Sequence, residues 1–147
     1  MKTVHKSVLI WHSAPQMFAL VADVARYPEF LPWCSSGQVL EATPQGMVAS
    51  IGMSLGGLKK SFTTRNRHIP NEHIALALVD GPFSHLDGTW DFKPVGQGDL
   101  SACKIDFTLN YGFASSTLST LVGPVFDKIA ASLVDAFVKR ADQVYGA

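Results

Sequence analysis

The 147-residue sequence predicts one α+β domain: seven antiparallel strands curved around a long C-terminal helix, with two short helices after the first strand. Three observations carry that expectation. Short segments of alternating polarity, separated by Gly, Pro and Asn turns, follow one another from Val39 to Tyr111, as hairpin-linked strands do. The chain then closes on a stretch from Ser116 to Tyr145 whose apolar residues recur at helical spacing. No linker, repeat or low-complexity segment interrupts it, so residues 1–147 read as a single domain.

The elements follow in order. Val4 to His12 reads as a strand. Ser13-Ala14-Pro15-Gln16 is a capping-box pattern with proline in the first turn, where its missing N–H is not needed. Met17, Phe18, Leu20, Val21 and Val24 then recur at helical spacing. A second short helix is expected to start near Pro28, carry Phe30 and Leu31, and be limited by Pro32. Strands Val39–Ala42 and Met47–Leu55 flank the turn Thr43-Pro44-Gln45-Gly46, and Gly56-Gly57 supplies the next turn. From Lys59 to His68, Phe62 lies on one face and Arg65 and Arg67 on the other. After Pro70-Asn71, Ile74, Leu76 and Leu78 alternate with Ala75, Ala77 and Val79, which predicts a strand buried on both faces. After Gly81-Pro82, Leu86, Trp90 and Phe92 share one face while Asp87, Thr89, Asp91 and Lys93 share the other. Gly96-Gln97-Gly98 turns the chain again. Cys103, Ile105, Phe107, Leu109 and Tyr111 then alternate with polar residues, the pattern of a half-buried strand.

In the final helix Leu118, Leu121, Val122, Val125, Phe126, Ile129, Leu133, Phe137, Ala141 and Val144 form an apolar stripe. Gly123-Pro124 is expected to kink or restart it, because proline cannot donate to the preceding turn. Hairpin-linked strands twist and therefore curl. A straight helix cannot touch a curled sheet everywhere, so a cavity between them is expected.

Composition narrows the function. Lys plus Arg equal Asp plus Glu at 12 each, and charged residues are 16% of the chain, against about 25% in an ordinary globular domain. The zero balance argues against a DNA-binding field over the whole protein. The shortage of charge leaves surplus apolar surface to line a cavity, cover a partner or touch a membrane. Cys34 and Cys103 are too few and too far apart for a disulfide framework or a zinc site, and they fit a reducing compartment. The charge-poor stretch Ser7–Ala22 is broken by His12, Ser13, Pro15 and Gln16, which does not suit a signal peptide. No segment reaches the ~18–20 apolar residues of a spanning helix. The expected location is cytoplasmic, at most peripheral to the inner membrane.

Catalytic and metal motifs are weak. Gly52 to Ser61 imitates a phosphate loop, but Leu58 stands where lysine is required and the context is a hairpin. His5, His12, His68, His73 and His85 show no metal-ligand spacing. Ser84, His85 and Asp87 are neighbours in sequence, whereas a triad converges in space. Alternation turns Asp87, Asp91 and Asp106 away from the apolar face, and Glu29, Glu41 and Glu72 lie near turns. No metal, no required cofactor and no turnover are expected.

Binding candidates are better defined. Phe62, Leu76, Trp90, Phe92, Phe107, Leu109 and Tyr111 on the strands face Phe126, Ile129, Ala130, Leu133 and Phe137 on the helix. The pattern leaves open whether they form a solid core or the wall of a cavity. Phe30, Leu31, Trp33 and Phe83 lie in or near connections and are candidates for a pocket mouth or membrane contact. Lys59, Arg65 and Arg67 share strand parity as a basic stripe opposite Phe62: either a solvated outer face or a contact for phosphates.

Four stretches carry a family likeness: Tyr27-Pro28-Glu29-Phe30-Leu31-Pro32-Trp33-Cys34; Phe62-Thr63-Thr64-Arg65-Asn66; Val79-Asp80-Gly81-Pro82-Phe83 with Leu86, Gly88, Trp90 and Phe92; and Ala136-Phe137 with Arg140-Ala141. In this order they resemble the ubiquinone-binding START-domain family, most closely its bacterial RatA-type members, along nearly the whole chain. The resemblance implies the START-like helix-grip fold, also described as polyketide cyclase or lipid transport, and favours the cavity over the solid core. It implies non-enzymatic binding of ubiquinone or another polyisoprenoid lipid in support of respiration. The alternative it carries is a RatA-type toxin that binds the large ribosomal subunit and blocks subunit association. A polyketide cyclase is the third reading.

Overall fold

The computed structural model describes residues 2–55, 57–96 and 102–146, with the Leu55 side chain left out. Seven strands form one antiparallel sheet in the order β1-β7-β6-β5-β4-β3-β2. They are β1 (Lys2–Ile10), β2 (Cys34–Thr43), β3 (Gly46–Leu55), β4 (Leu58–Ile69), β5 (His73–Asp80), β6 (Phe83–Pro94) and β7 (Cys103–Phe113). Helix α1 (Ala14–Ala22) and a 3₁₀ helix (Val24–Glu29) follow β1, and α2 (Ser116–Tyr145) ends the chain. This is the expected helix-grip order. Each strand pairs with its successor from β2 onward, while β1 closes the far edge against β7, from Lys2 opposite Tyr111 to Ile10 opposite Cys103.

Local chemistry explains the boundaries. The Ser13 hydroxyl accepts from the Gln16 N–H at 3.2 Å and the Gln16 side chain accepts from the Ser13 N–H at 2.9 Å, so the predicted capping box starts α1. Ser115 caps α2 by accepting from the Leu118 N–H at 3.1 Å. Gly37 lets the 3₁₀ helix lie directly on β2: a Cβ there would sit 2.2 Å from the Val24 carbonyl oxygen.

Several expectations are corrected. β1 stops at Ile10, and Trp11 and His12 follow it, with Trp11 76% exposed. The second helix begins at Val24 rather than near Pro28; Pro28 sits in its last turn, where the fixed φ suits a helical residue. The Phe30 and Leu31 N–H groups both bond the Tyr27 carbonyl and lie beyond that helix. β2 starts at Cys34, five residues earlier than expected, because its irregular first half is held by pairing with β3 through two register shifts. Only one face of β5 is covered: Ile74 is buried, but Ala77 and Val79 are exposed, since no second layer lies over the sheet's outer surface. α2 is one continuous helix through Pro124. Thr120, whose carbonyl Pro124 leaves without a helical donor, is exposed like Pro124 itself, so water can take the donor's place. The turn at Gly96-Gln97-Gly98 falls partly outside the described residues, as does Gly56 of the Gly56-Gly57 turn.

The core lies between the sheet's inner face and the two helices. Met17 and Val21 of α1 and Val122, Phe126, Ala130, Val134, Phe137 and Ala141 of α2 are buried. From the predicted stripe, Leu121, Val125 and Val144 are exposed instead, and Val134 was absent from it. The inner rings interlock: Trp90 packs on Phe107 at 4.4 Å between centroids and edge-on against Phe137 at 5.4 Å.

Candidate functional site

Strand alternation sends Phe62, Thr64 and Asn66 of β4, Leu76 of β5, Leu86 and Trp90 of β6, and Phe107 and Leu109 of β7 to the inner face. Opposite them α2 presents Phe126, Ile129, Ala130, Leu133 and Phe137. Between the two lies a cavity of about 90 Å³, closed further by Val24 and Tyr27 of the 3₁₀ helix, Trp33 and Ile51. Gly88 sits on the same inner face between Leu76 and Leu109. A Cβ there would lie 2.7 Å from the Thr108 carbonyl oxygen and 3.1 Å from the Leu109 side chain, so no larger residue is accommodated without a shift.

The structure gathers ten of the twelve residues proposed for a ligand around this cavity: Phe62, Leu76, Trp90, Phe107, Leu109, Phe126, Ile129, Ala130, Leu133 and Phe137. The other two lie elsewhere. Phe92 is buried under α1 against Phe18, at 5.9 Å between centroids. Tyr111 turns its hydroxyl toward α2, donating to Asp127 at 2.5 Å, and is kept protonated by burial and by that carboxylate. Among the four mouth candidates, Leu31 is 1% exposed and Phe83 is 5% exposed, so neither can touch a membrane from this conformation. Phe83 is drawn inside by a register shift between Phe83 and His85 and packs on Phe62, Phe113 and Phe126. Phe30 is half-buried, with the Arg140 guanidinium 5.0 Å above its ring. Trp33 does occupy a rim position. With Ile129 it lines both the cavity and an outer groove of about 360 Å³ whose other walls are Pro124, Val125, Lys128 and Ser132.

Thr64 and Asn66 carry the cavity's polar side and were overlooked in the sequence. The available signal was parity: a stride of two from Phe62 reaches both. The Thr64 hydroxyl donates to Asn66 Oδ1 at 2.7 Å, and Thr64 is 4% exposed. The remaining hydroxyl in the lining, that of Tyr27, donates to the Val21 carbonyl, and burial raises its pKa well above the usual phenol range.

Among the described residues no carboxylate reaches the cavity. Asp87, Asp91 and Asp106 lie on the outer face beside His85 (2.5 Å), His73 (2.7 Å) and His5 (3.9 Å), and Glu29 bonds Arg140 at 2.6 Å. Ser84 and His85 are exposed and Asp87 is half-buried. Cys34 and Cys103 are buried free thiols, and burial pushes Cys103 up to about 11. Among the described residues no group of three or more His, Cys, Asp or Glu side chains could hold a metal, and no helix is long and apolar enough to cross a membrane. Lys59, Arg65 and Arg67 are exposed on the outer face and form no ion pair among the described residues.

Comparison with known proteins adds the following. Residues 10–138 match the family described as "Polyketide cyclase / dehydrase and lipid transport". The chain is 48% identical over 146 residues to the "Ribosome association toxin RatA" of Vibrio cholerae, covering 99% of both chains. It is 30% identical over 142 residues to the "Coenzyme Q-binding protein COQ10 homolog B, mitochondrial" of Xenopus laevis, covering 96% of this chain and 58% of that one. Among solved structures it superposes on the Zhui aromatase/cyclase with a TM-score of 0.80 at 17% identity (97% and 94% covered). A START superfamily protein from Mycobacterium smegmatis gives 0.75 at 19% identity (97% and 98% covered). At those identities the structural likeness is one of fold.

Proposed function

The chain belongs to the polyketide cyclase/dehydrase and lipid transport family, and from that premise we propose that it binds an apolar, chain-like ligand of the polyisoprenoid quinone kind between its sheet and α2, without turning it over. The observation that carries this reading is a cavity lined by aromatic and aliphatic side chains, with two polar residues on one wall and, among the described residues, no ionisable acid or base other than the committed Tyr27 hydroxyl. A cyclase needs a poised proton donor or acceptor, which this lining does not supply. Each five-carbon isoprene unit grosses roughly 3–4 kcal/mol on burial, at ~0.8 per CH₂. A few units therefore reach micromolar affinity after association costs.

Size sets the mechanism of entry. The cavity of about 90 Å³ is smaller than the ~150 Å³ apolar cavity that admits benzene. A ligand must widen it. Trp33 and Ile129 are the side chains shared with the outer groove, so displacing them joins the two spaces and lets the chain of the ligand trail outward. Trp33 and Trp90 both line the cavity. Titration of the Trp11→Phe protein with a short-tailed ubiquinone should therefore quench fluorescence saturably at micromolar concentration. Only linear, non-saturable quenching would remove the reading.

A second function is supported by a separate observation. The row Lys59, Arg65 and Arg67, without an ion pair among the described residues, lies on the outer face, and the Vibrio relative is a ribosome association toxin. In this reading the outer face binds phosphates of the large ribosomal subunit. Three such contacts predict a log-affinity slope against log salt of about −2 to −3.

A further inference from the structure

We propose that Asn66, oriented by Thr64, is a head-group site that donates to a neutral carbonyl on the ligand and selects against lipids carrying a carboxylate. The inference rests on the ligand-binding reading above and names the chemistry that this cavity accepts.

Both residues lie on the inward face of β4, Thr64 opposite Ala49 and Asn66 between Met47 and Leu76. The 2.7 Å bond from the Thr64 hydroxyl to Asn66 Oδ1 fixes the amide. Its oxygen is engaged, so its nitrogen is left with two N–H groups, and no acceptor among the described residues takes them. The other hydroxyl in the lining, Tyr27, is spent on the Val21 carbonyl. Apart from the Trp33 and Trp90 indole N–H groups, the described lining therefore offers a ligand donors at one place, the Asn66 amide, on a wall otherwise apolar. Asn66 is half-buried and also borders an outer groove with Glu41, Arg65 and Arg67; a ligand that covers its amide without accepting from it strips the N–H groups of water at a cost, so a ligand with an acceptor there gains over one without.

Charge decides which acceptor. Among the described residues no Lys, Arg or His belongs to the lining. The next inward residue of β4, His68, is held by burial below its ordinary pKa, which keeps it from supplying a cation at neutral pH. A carboxylate would be stripped of water with no counter-charge, which is far costlier than burying a carbonyl. The head of the ligand is thus a ketone, quinone or ester carbonyl, with its apolar chain leading back toward Trp33 and Ile129.

The test compares three probes on the full chain at pH 8: a short-tailed quinone, a hydrocarbon of similar length, and a fatty acid of similar length. Wild type should bind the quinone tightest and the carboxylate weakest. Asn66→Leu, which keeps the branching but is bulkier, should weaken quinone binding about 5- to 10-fold relative to its effect on the hydrocarbon, the scale of one lost hydrogen bond. Asn66→Asp preserves shape while removing the donors, and should weaken the quinone at least as much. It guards against a packing artefact of leucine, and circular dichroism verifies that both variants fold. Infrared difference spectra give a readout that packing alone does not move: the bound quinone C=O band should be red-shifted in wild type and return toward its free frequency in Asn66→Leu. Equal loss of quinone and hydrocarbon binding, no loss of either, or a preference for the fatty acid overturns the head-group site while leaving ligand binding intact. Failure of wild type to bind any of the three overturns the ligand-binding reading and this inference with it.

Discussion

His68 shows how the inner face constrains single residues. It follows Asn66 on the inward side of β4, packs edge-on against Phe18 at 5.4 Å, and has a buried Nε2 without a hydrogen-bond partner among the described residues. Burial lowers its pKa below the ordinary 6.5. The sign of the linkage follows: between 6.5 and the lower folded value the unfolded chain binds the proton and the folded chain does not. Its contribution to stability is therefore complete above about pH 7 and is lost as pH falls through the folded pKa. Melting temperature should decline from pH 7 toward pH 5, and His68→Leu should flatten that decline; an unchanged slope in the variant would show that other groups carry it. His68, Thr64 and Asn66 were all legible by parity from Phe62. They were passed over because a Thr or Asn in a strand reads as a polar spacer unless its face is counted. Leu31 and Phe83 erred the other way. Their place near turns suggested exposure, yet Leu31 is capped onto the end of the 3₁₀ helix by the Tyr27 carbonyl, and a register shift carries Phe83 inward.

At the scale of elements, α2 carries a local rule broken in the open. Proline in a helix interior costs about 3 kcal/mol relative to alanine, yet Pro124 sits in a helix that runs unbroken from Ser116 to Tyr145. Tertiary burial of Val122, Phe126 and Ala130 on either side offsets it. Pro124→Ala should restore the donor to the Thr120 carbonyl and raise stability by about 1–3 kcal/mol. The melting temperature should then rise by about 2–4 °C per kcal/mol in a chain of this size. A lower melting temperature would mean that the native backbone depends on proline's fixed φ. The start of α1 was readable because its cap is local: Ser13 acts within three residues, as Ser115 does at the start of α2. Strand ends were less so. The first half of β2, Cys34 to Gln38, is poor in strand-forming residues and exists through its pairing with β3. The exposed outer side of β5 was misjudged because Ala77 and Val79 are apolar whether or not anything covers them.

At the scale of the whole molecule, a single-layer sheet keeps two surfaces apart. The inner face holds the cavity under α2, and the outer face holds Lys59, Arg65 and Arg67. The order of elements followed from turn residues and the strand and helix periodicities, and the two faces of β4, β6 and β7 from alternation, whereas the cavity's volume depended on packing that no spacing rule contains. If the apolar ligand uses the inner face and ribosomal phosphates use the outer, each can be lost without the other. Ala130 lies in the lining and is 2% exposed. Ala130→Trp should fill the cavity and abolish quinone quenching, though such overpacking typically costs 1–3 kcal/mol or somewhat more, so melting must first show a folded protein. Its cosedimentation with large ribosomal subunits should stay within about twofold of wild type and keep the same salt slope. The triple reversal of Lys59, Arg65 and Arg67 to Glu should do the opposite. It removes three phosphate partners, adds repulsion and leaves the cavity wall untouched, so sedimentation should vanish at moderate salt while quinone affinity stays unchanged. Loss of quinone binding in the charge-reversed protein, with sedimentation preserved, would show the face assignment to be wrong. Loss of both activities in both folded variants would mean that the two sites communicate through the sheet.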